Sequence, residues 1–251
     1  MKISRCMVSG KAQYCVIDGA DVRLLSAPPF EQLVEDGRVL PAKVVTFLPP
    51  VSPSKIVAVG LNYRDHAKEF GKAMPEEEPL IFIKPATAII GNGDDIVYPA
   101  MSQRVDYEGE LAVVIGKTAK RVSVEQAREH IFGFTIMNDV TARDLQKKDV
   151  QYTRSKSFDT FAPIGPWIET VLAPENLFIR TSVNGVVKQD GTTSDMHFSV
   201  EQIISFVSQV MTLLPGDVIS TGTPPGIGPM NRGDSVEVEV EGIGRLKNRL
   251  V

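Results

Sequence analysis

Apolar residues in this chain fall mostly in short runs and in alternation, and these patterns predict many short strands separated by few helices. The segments "KIVAVGLNY", "LIFIKP", "FTIMND", "DVISTG" and "DSVEVEVEGIGRLKNRLV" read as strands, and "LFIRTSVNG" with "VVKQDG" as two strands joined at an Asn-Gly turn. Helical spacing appears in "SVEQAREHIFG", started by Ser123, and in "SVEQIISFVSQVMTLLPG", with apolar Ile203, Ile204, Val207, Val210 and Met211. A short helix is predicted in "NYRDHAKEFG", with Asn62 as its cap and Gly71 as its stop. "KAMPEEEPL" reads as an acidic surface loop, and "TARDLQKKDVQYTRSKSFDTFAPIGPWI" as a helix that gives way to a Pro/Gly-rich loop. The pattern favours a strand-rich α+β protein, a β-roll or barrel with a few short helices, over a doubly wound sheet.

Residues 1–50 read as short strands and turns that end in the proline-rich "FLPPVSPSK". This predicts a small N-terminal β-rich domain at 1–50 ahead of a main domain at 51–251. A loop within one continuous domain is the other reading of the same prolines.

The stretch "VDYEGELAVVIG" departs from the ordinary alternation. Residues 105–116 read as one short strand in which Asp106, Glu108 and Glu110 share a face with Ala112 and Val114, so that face changes from carboxylates to apolar residues.

Composition narrows what such a site can serve. The chain has 251 residues, 43% of them hydrophobic and 23% charged, with a formal net charge of -4 and no basic block. That argues against a nucleic-acid footprint or a polybasic membrane patch and for a small-molecule partner. Cys6 and Cys15 lie in no zinc-like or redox spacing, the N-terminus lacks a signal-peptide core, and no apolar run approaches the roughly 20 residues of a membrane span. The expectation is a soluble cytoplasmic protein.

Glu108 and Glu110 admit two readings, a solvated edge-strand face or a carboxylate pair near a core that needs a cation or a proton. Asp139, at the end of "FGFTIMN", is either a helix N-cap or a third carboxylate. Three carboxylates without Cys or His suit a hard cation such as Mg²⁺ or Mn²⁺, with open positions for a chelating substrate. His66 and Glu69 lie three apart on the predicted short helix. They are either surface decoration or a base with its orienting partner, and Gly60 and Gly71 would let that helix move as a lid. Lys84 and Lys156 are surface lysines or cations beside a developing oxyanion, and Thr221, Gly222 and Thr223 form a plain turn or a hold for a carboxylate. His130 and His197 read as structural or surface residues.

Taken together, "GLNYRDHAKE", "LIFIKP", "DYEGELAVVIG", "GFTIMNDVTARDLQ", "SKSFDTFAPIGPW" and "LLPGDVISTGTPPGIG" resemble the fumarylacetoacetate hydrolase family from about Lys55 to the C-terminus. The resemblance implies a mixed β-roll catalytic domain, commonly in homodimers. It also implies a divalent metal, Mg²⁺ or Mn²⁺ with Ca²⁺ a further candidate, held by Glu108, Glu110 and Asp139, which leaves Asp106 outside the ligand set. His66 and Glu69 then look like a lid dyad that activates water, and Lys156 like the lysine beside the metal. Arg143 and Gln146 look like substrate contacts and Thr223 like a carboxylate anchor, while Lys84, read from its place at the end of a strand and not from the resemblance, is a further substrate-binding candidate.

The activity implied is C–C bond cleavage of a 2-oxo acid through a metal-stabilised enolate, by acylpyruvate or fumarylpyruvate hydrolysis or by oxaloacetate decarboxylation. Two alternatives stand beside it. One is isomerisation of a 2-hydroxy-diene-dioate, with Lys156 moving the proton, and the other is a non-catalytic oxo-acid-binding protein.

Overall fold

The computed structural model describes residues 1–69, 71 and 73–251. Phe70, in the predicted short helix, and Lys72, the first residue of the predicted acidic loop, lie outside the described residues. The chain is strand-rich, as its alternation predicts. The largest sheet runs in the order Glu35–Pro41, Asp21–Leu25, Lys11–Asp18, Lys2–Val8, Ala162–Glu169, Ile131–Asn138, Gly109–Ile115, Val218–Ser220, Ile56–Gly60, Leu80–Lys84. Its two outer strands do not meet, so among the described residues this is a roll and not a closed barrel. The N-terminal strands join it through Lys2–Val8, which pairs antiparallel with Ala162–Glu169.

A second sheet is built on the hairpin Phe178–Val183 and Val186–Thr192, whose Asn184 and Gly185 both adopt positive φ, the conformation an Asn-Gly hairpin turn requires. The two sheets close over a core in which Leu111, Val113 and Ile115 meet Ile179, Val238, Val240 and Leu246. The opposite face of the same strand sends Ala112 and Val114 against Ile3, Ile56 and Ile164. Gly109–Ile115 is therefore buried on both faces, which makes it a rigid support for whatever stands at its N-terminal end.

Both predicted helices start behind capping boxes, but the first is a single α-turn that tightens over Arg128–His130 and gives way to the strand Ile131–Asn138, so Ile131, Phe132 and Gly133 belong to the sheet. Val124–Ala127 starts at Ser123 with Gln126 reaching back, and Val200–Val210 at Ser199 with Gln202. The latter buries Ile203, Ile204 and Val207 in the core, while Val210, expected to belong with them, is exposed. Asn62 does not cap the short helix Arg64–Glu69. Fully buried, it donates through Nδ2 to the carbonyls of Phe198 and Thr221 at 3.1 and 2.8 Å and accepts from the Phe198 N–H at 2.8 Å. Tertiary partners outcompete the local cap, and Asn62 ties the helix base to the loop that follows Val218–Ser220. Among the described residues no helix is long and apolar enough to cross a membrane.

Candidate active site

The chain does not run as one strand through "VDYEGELAVVIG". Val105–Tyr107 pairs in a separate three-stranded sheet, and the chain enters the large sheet at Gly109, so Glu108 sits at the crossover. All three acidic residues are nonetheless buried, with Asp106 at 0%, Glu108 at 4% and Glu110 at 1% exposure. The solvated-face reading is excluded by those values.

Asp139 arrives from the neighbouring strand. Gly109 is paired with Asn138, and the Asp139 N–H donates to the Glu108 carbonyl at 2.8 Å, so the ends of two adjacent strands bring the carboxylates together. Glu108, Glu110 and Asp139 each offer an oxygen, all within 4.8 Å of one another. His66, Arg143, Gln146, Lys156 and Thr223 join these three in lining one cleft open to solvent, with Phe82 and Tyr152 on its walls.

The charges are arranged unequally. Arg143 pairs with Glu108 and Lys84 with Asp139, while Lys156 bridges Glu108 Oε2 at 2.8 Å and Asp139 Oδ2 at 2.5 Å. Burial alone would raise the Glu108 carboxyl, but the Lys156 and Arg143 charges overcome it and hold it far below the usual carboxylate range. Glu110 has no ion pair among the described residues. Its hydrogen bonds come from Ser220 Oγ at 2.5 Å and the Gly222 N–H at 2.9 Å, both to Oε2. Burial, then the charges of Asp139 and Glu108, push it up to about 8.

A divalent cation fits this donor set. Three converging carboxylates supply hard oxygen ligands, and a buried carboxylate short of positive charge is the group such an ion would stabilise. Glu108, Glu110 and Asp139 are thus the candidate ligands.

Lys84, expected to touch substrate, is 0% exposed and lies off the cleft behind Asp139, where it also donates to the Val140 carbonyl at 3.2 Å. Its place at the end of Leu80–Lys84 makes it a counter-charge for Asp139 and not a substrate contact. Thr223 lines the cleft, but its hydroxyl already donates to the Gly109 carbonyl and accepts from Gln189 Nε2, both at 2.8 Å.

Asp106 accepts from Arg143 Nε at 2.9 Å and from Arg104 Nε at 2.8 Å, so its buried carboxylate orients the guanidinium that pairs with Glu108. Nothing in the sequence decides the role of Asp106 or singles out Ser220 and Gln189. Only the shared face of Asp106 carried a signal.

His66 is 6% exposed, and its Nδ1 lies 3.6 Å from Glu69 Oε2, longer than a hydrogen bond. Glu69 instead accepts from the Gly226 N–H at 3.2 Å. Burial lowers the His66 pKa despite the opposing charges of Glu108 and Glu69, which keeps the imidazole neutral and able to accept a proton. Burial would lower Lys156 too, yet Asp139 and Glu108 raise it and keep it charged. That suits Lys156 to donating a proton or a hydrogen bond, not to serving as a base.

Comparison with known proteins agrees with this geometry. Residues 55–251 match the family model described as fumarylacetoacetate (FAA) hydrolase C-terminal, and residues 1–50 match one described as Rv2993c-like, N-terminal. The mitochondrial oxaloacetate tautomerase FAHD2A of Homo sapiens is 47% identical over 226 residues, spanning 85% of this chain and 72% of that protein. The structure of a 2-hydroxyhepta-2,4-diene-1,7-dioate isomerase from Mycobacterium marinum superposes with a TM-score of 0.93 at 45% identity, covering 100% of this chain and 98% of that one. A fumarylpyruvate hydrolase from Pseudomonas aeruginosa, solved with Mn²⁺ and pyruvate, superposes with a TM-score of 0.76 at 34% identity, covering 82% of this chain and 91% of that one.

Proposed function

The chain belongs to the fumarylacetoacetate hydrolase family, and on that premise we propose that it catalyses proton transfer next to the keto group of a 2-oxo dicarboxylic acid, as a tautomerase or isomerase. The observation that carries this reading is a neutral base and a charged acid in one cleft, His66 and Lys156. His66 would take the proton from carbon, and Lys156 would hold the developing oxyanion by hydrogen bonding. Arg143 and Gln146, joined at 2.6 Å and both lining the cleft, would orient the substrate.

When bound at Glu108, Glu110 and Asp139, Mg²⁺ or Mn²⁺, or Ca²⁺, would supply Lewis-acid polarisation of substrate oxygens. The charge balance supports an anionic substrate. Carboxylates at Asp106, Glu108, Glu110 and Asp139 face basic groups at Lys84, Arg104, Arg143 and Lys156, so a divalent cation leaves the site net positive. The tautomerase and isomerase relatives, both more similar in sequence than the hydrolase, support proton transfer as the step performed.

Hydrolytic C–C cleavage is the second reading. It is favoured by Glu69 standing beside His66, close enough to orient it toward a water after a small closing movement of Arg64–Glu69.

Enol–keto conversion of oxaloacetate, followed by ultraviolet absorbance, together with pyruvate release from acylpyruvates, tests both. The expected result is rapid tautomerisation, lost in EDTA and restored by Mn²⁺. His66→Ala should lower it by about 10²–10⁴-fold, the usual contribution of a positioned base. Fast acylpyruvate cleavage without tautomerisation selects the hydrolytic reading, and saturable oxo-acid binding without any turnover reduces the protein to a binder.

A further inference from the structure

The hairpin Phe178–Val183 and Val186–Thr192 contributes no residue to the cleft. Yet its fully buried Gln189 joins the two segments that build the carboxylate cage. Gln189 Oε1 accepts from the Gly109 N–H at 3.0 Å, between Glu108 and Glu110. Its Nε2 donates to Thr223 Oγ1 and to the Pro224 carbonyl, both at 2.8 Å, and Thr223 Oγ1 donates in turn to the Gly109 carbonyl at 2.8 Å. The three residues form a closed ring.

Packing locks the same contact. A Cβ on Gly109 would collide with Thr181 Oγ1, and one on Gly226, whose φ is +96°, would collide with the Lys188 carbonyl. The segment held this way delivers the Gly222 N–H to Glu110 and the Gly226 N–H to Glu69.

We propose that Gln189 is a positioning residue that holds residues 222–226 in register with the strand Gly109–Ile115 and thereby aims Glu110 into the cation site. An amide of this length is suited to the task, because it presents one acceptor and two donors in a single plane. The proposal rests on the reading of Glu110 as a metal ligand. Outer partners of metal ligands typically contribute 10–100-fold to affinity, which sets the scale of the effect.

The test is Mn²⁺ titration of the metal-free protein, read by the electron paramagnetic resonance of free Mn²⁺, with melting curves for each variant. Gln189→Met should weaken Mn²⁺ binding by about 10–100-fold. Val183→Ala, a core truncation in the same hairpin whose hydrophobic cluster contains no residue of 109–115 or 222–226, should lower the melting temperature and leave Mn²⁺ binding at the wild-type value. If Gln189→Met does not fold, Gln189→Asn carries the same test, since its amide is one methylene too short to bridge and it too should lose affinity.

Wild-type Mn²⁺ affinity in a folded Gln189 variant overturns the proposal. So does an equal loss in Val183→Ala, which would make the effect one of stability alone. A wild-type protein that binds no Mn²⁺ overturns the ligand reading itself, and this inference with it.

Discussion

Glu108→Gln and Glu110→Gln will both weaken Mn²⁺ binding by more than about 100-fold and abolish turnover, yet they will move the stability of the metal-free protein in opposite directions. The contrast follows from their partners. Glu108 is buried against Arg143 and Lys156, so neutralising it leaves two cations without their shared counter-charge. Removing one member of a buried ion pair costs about 3–5 kcal/mol.

Among the described residues, buried Glu110 has only a hydroxyl and an N–H as hydrogen-bond donors, and at pH 7 in the absence of metal it is mostly protonated, its carboxyl pushed up to about 8. Glutamine reproduces that neutral form, and its amide oxygen can accept both hydrogen bonds. Melting curves in EDTA at pH 7 should therefore place Glu110→Gln at or above the wild type and Glu108→Gln well below it. Mn²⁺ affinity should fall in both by more than the roughly 100-fold that bounds outer-partner effects. The reverse order of melting temperatures would refute the charge assignment.

The second large effect is on pH. A cation must displace the proton on Glu110, so Mn²⁺ affinity should rise by about tenfold per pH unit below pH 8 and level off above it. Binding at pH 7 should release close to one proton, measurable by calorimetry in two buffers of different ionisation enthalpy. The sign for stability follows from the same shift. Glu110 has a folded value above its ordinary 4.5, so the folded form binds more protons than the unfolded chain between the two values, and the metal-free protein loses stability from this group as pH rises from about 4.5 to 8. Glu108, depressed by Lys156 and Arg143, acts oppositely, and its contribution is lost only as pH falls through its low folded value. Affinity independent of pH between 6 and 8 would refute the raised Glu110 carboxyl, and unchanged Mn²⁺ affinity in Glu110→Gln would remove Glu110 from the ligand set.

Several of these features were legible in the residues alone. The starts of the helices behind Ser123 and Ser199 and the hairpin at Asn184 and Gly185 depend on caps and turns within a few residues, and they formed where the pattern predicted them, although the first helix ends at Ala127, short of the predicted segment. The acidic face before an apolar run marked Glu108 and Glu110 as unusual, and the resemblance of six motifs named Asp139 as their companion. Asn62 misled because its local capping preference was outweighed by hydrogen bonds to Phe198 and Thr221, well over a hundred positions away. Lys84 misled because its position at a strand end does not reveal which side of Asp139 it occupies.

By itself, then, the sequence determined the local elements, the strand-rich class and the carboxylates at stake, since propensity, capping and alternation act over a few residues. Tertiary structure alone decided how those charges are shared: Arg143 and Lys156 to Glu108, Lys84 and Lys156 to Asp139, Asp106 to Arg143, and, among the described residues, no ion pair to Glu110. A buried charge is stabilised only by the groups within a few ångströms of it. Here those groups come from strands, helices and loops far apart in the chain, and no spacing along the sequence encodes their meeting.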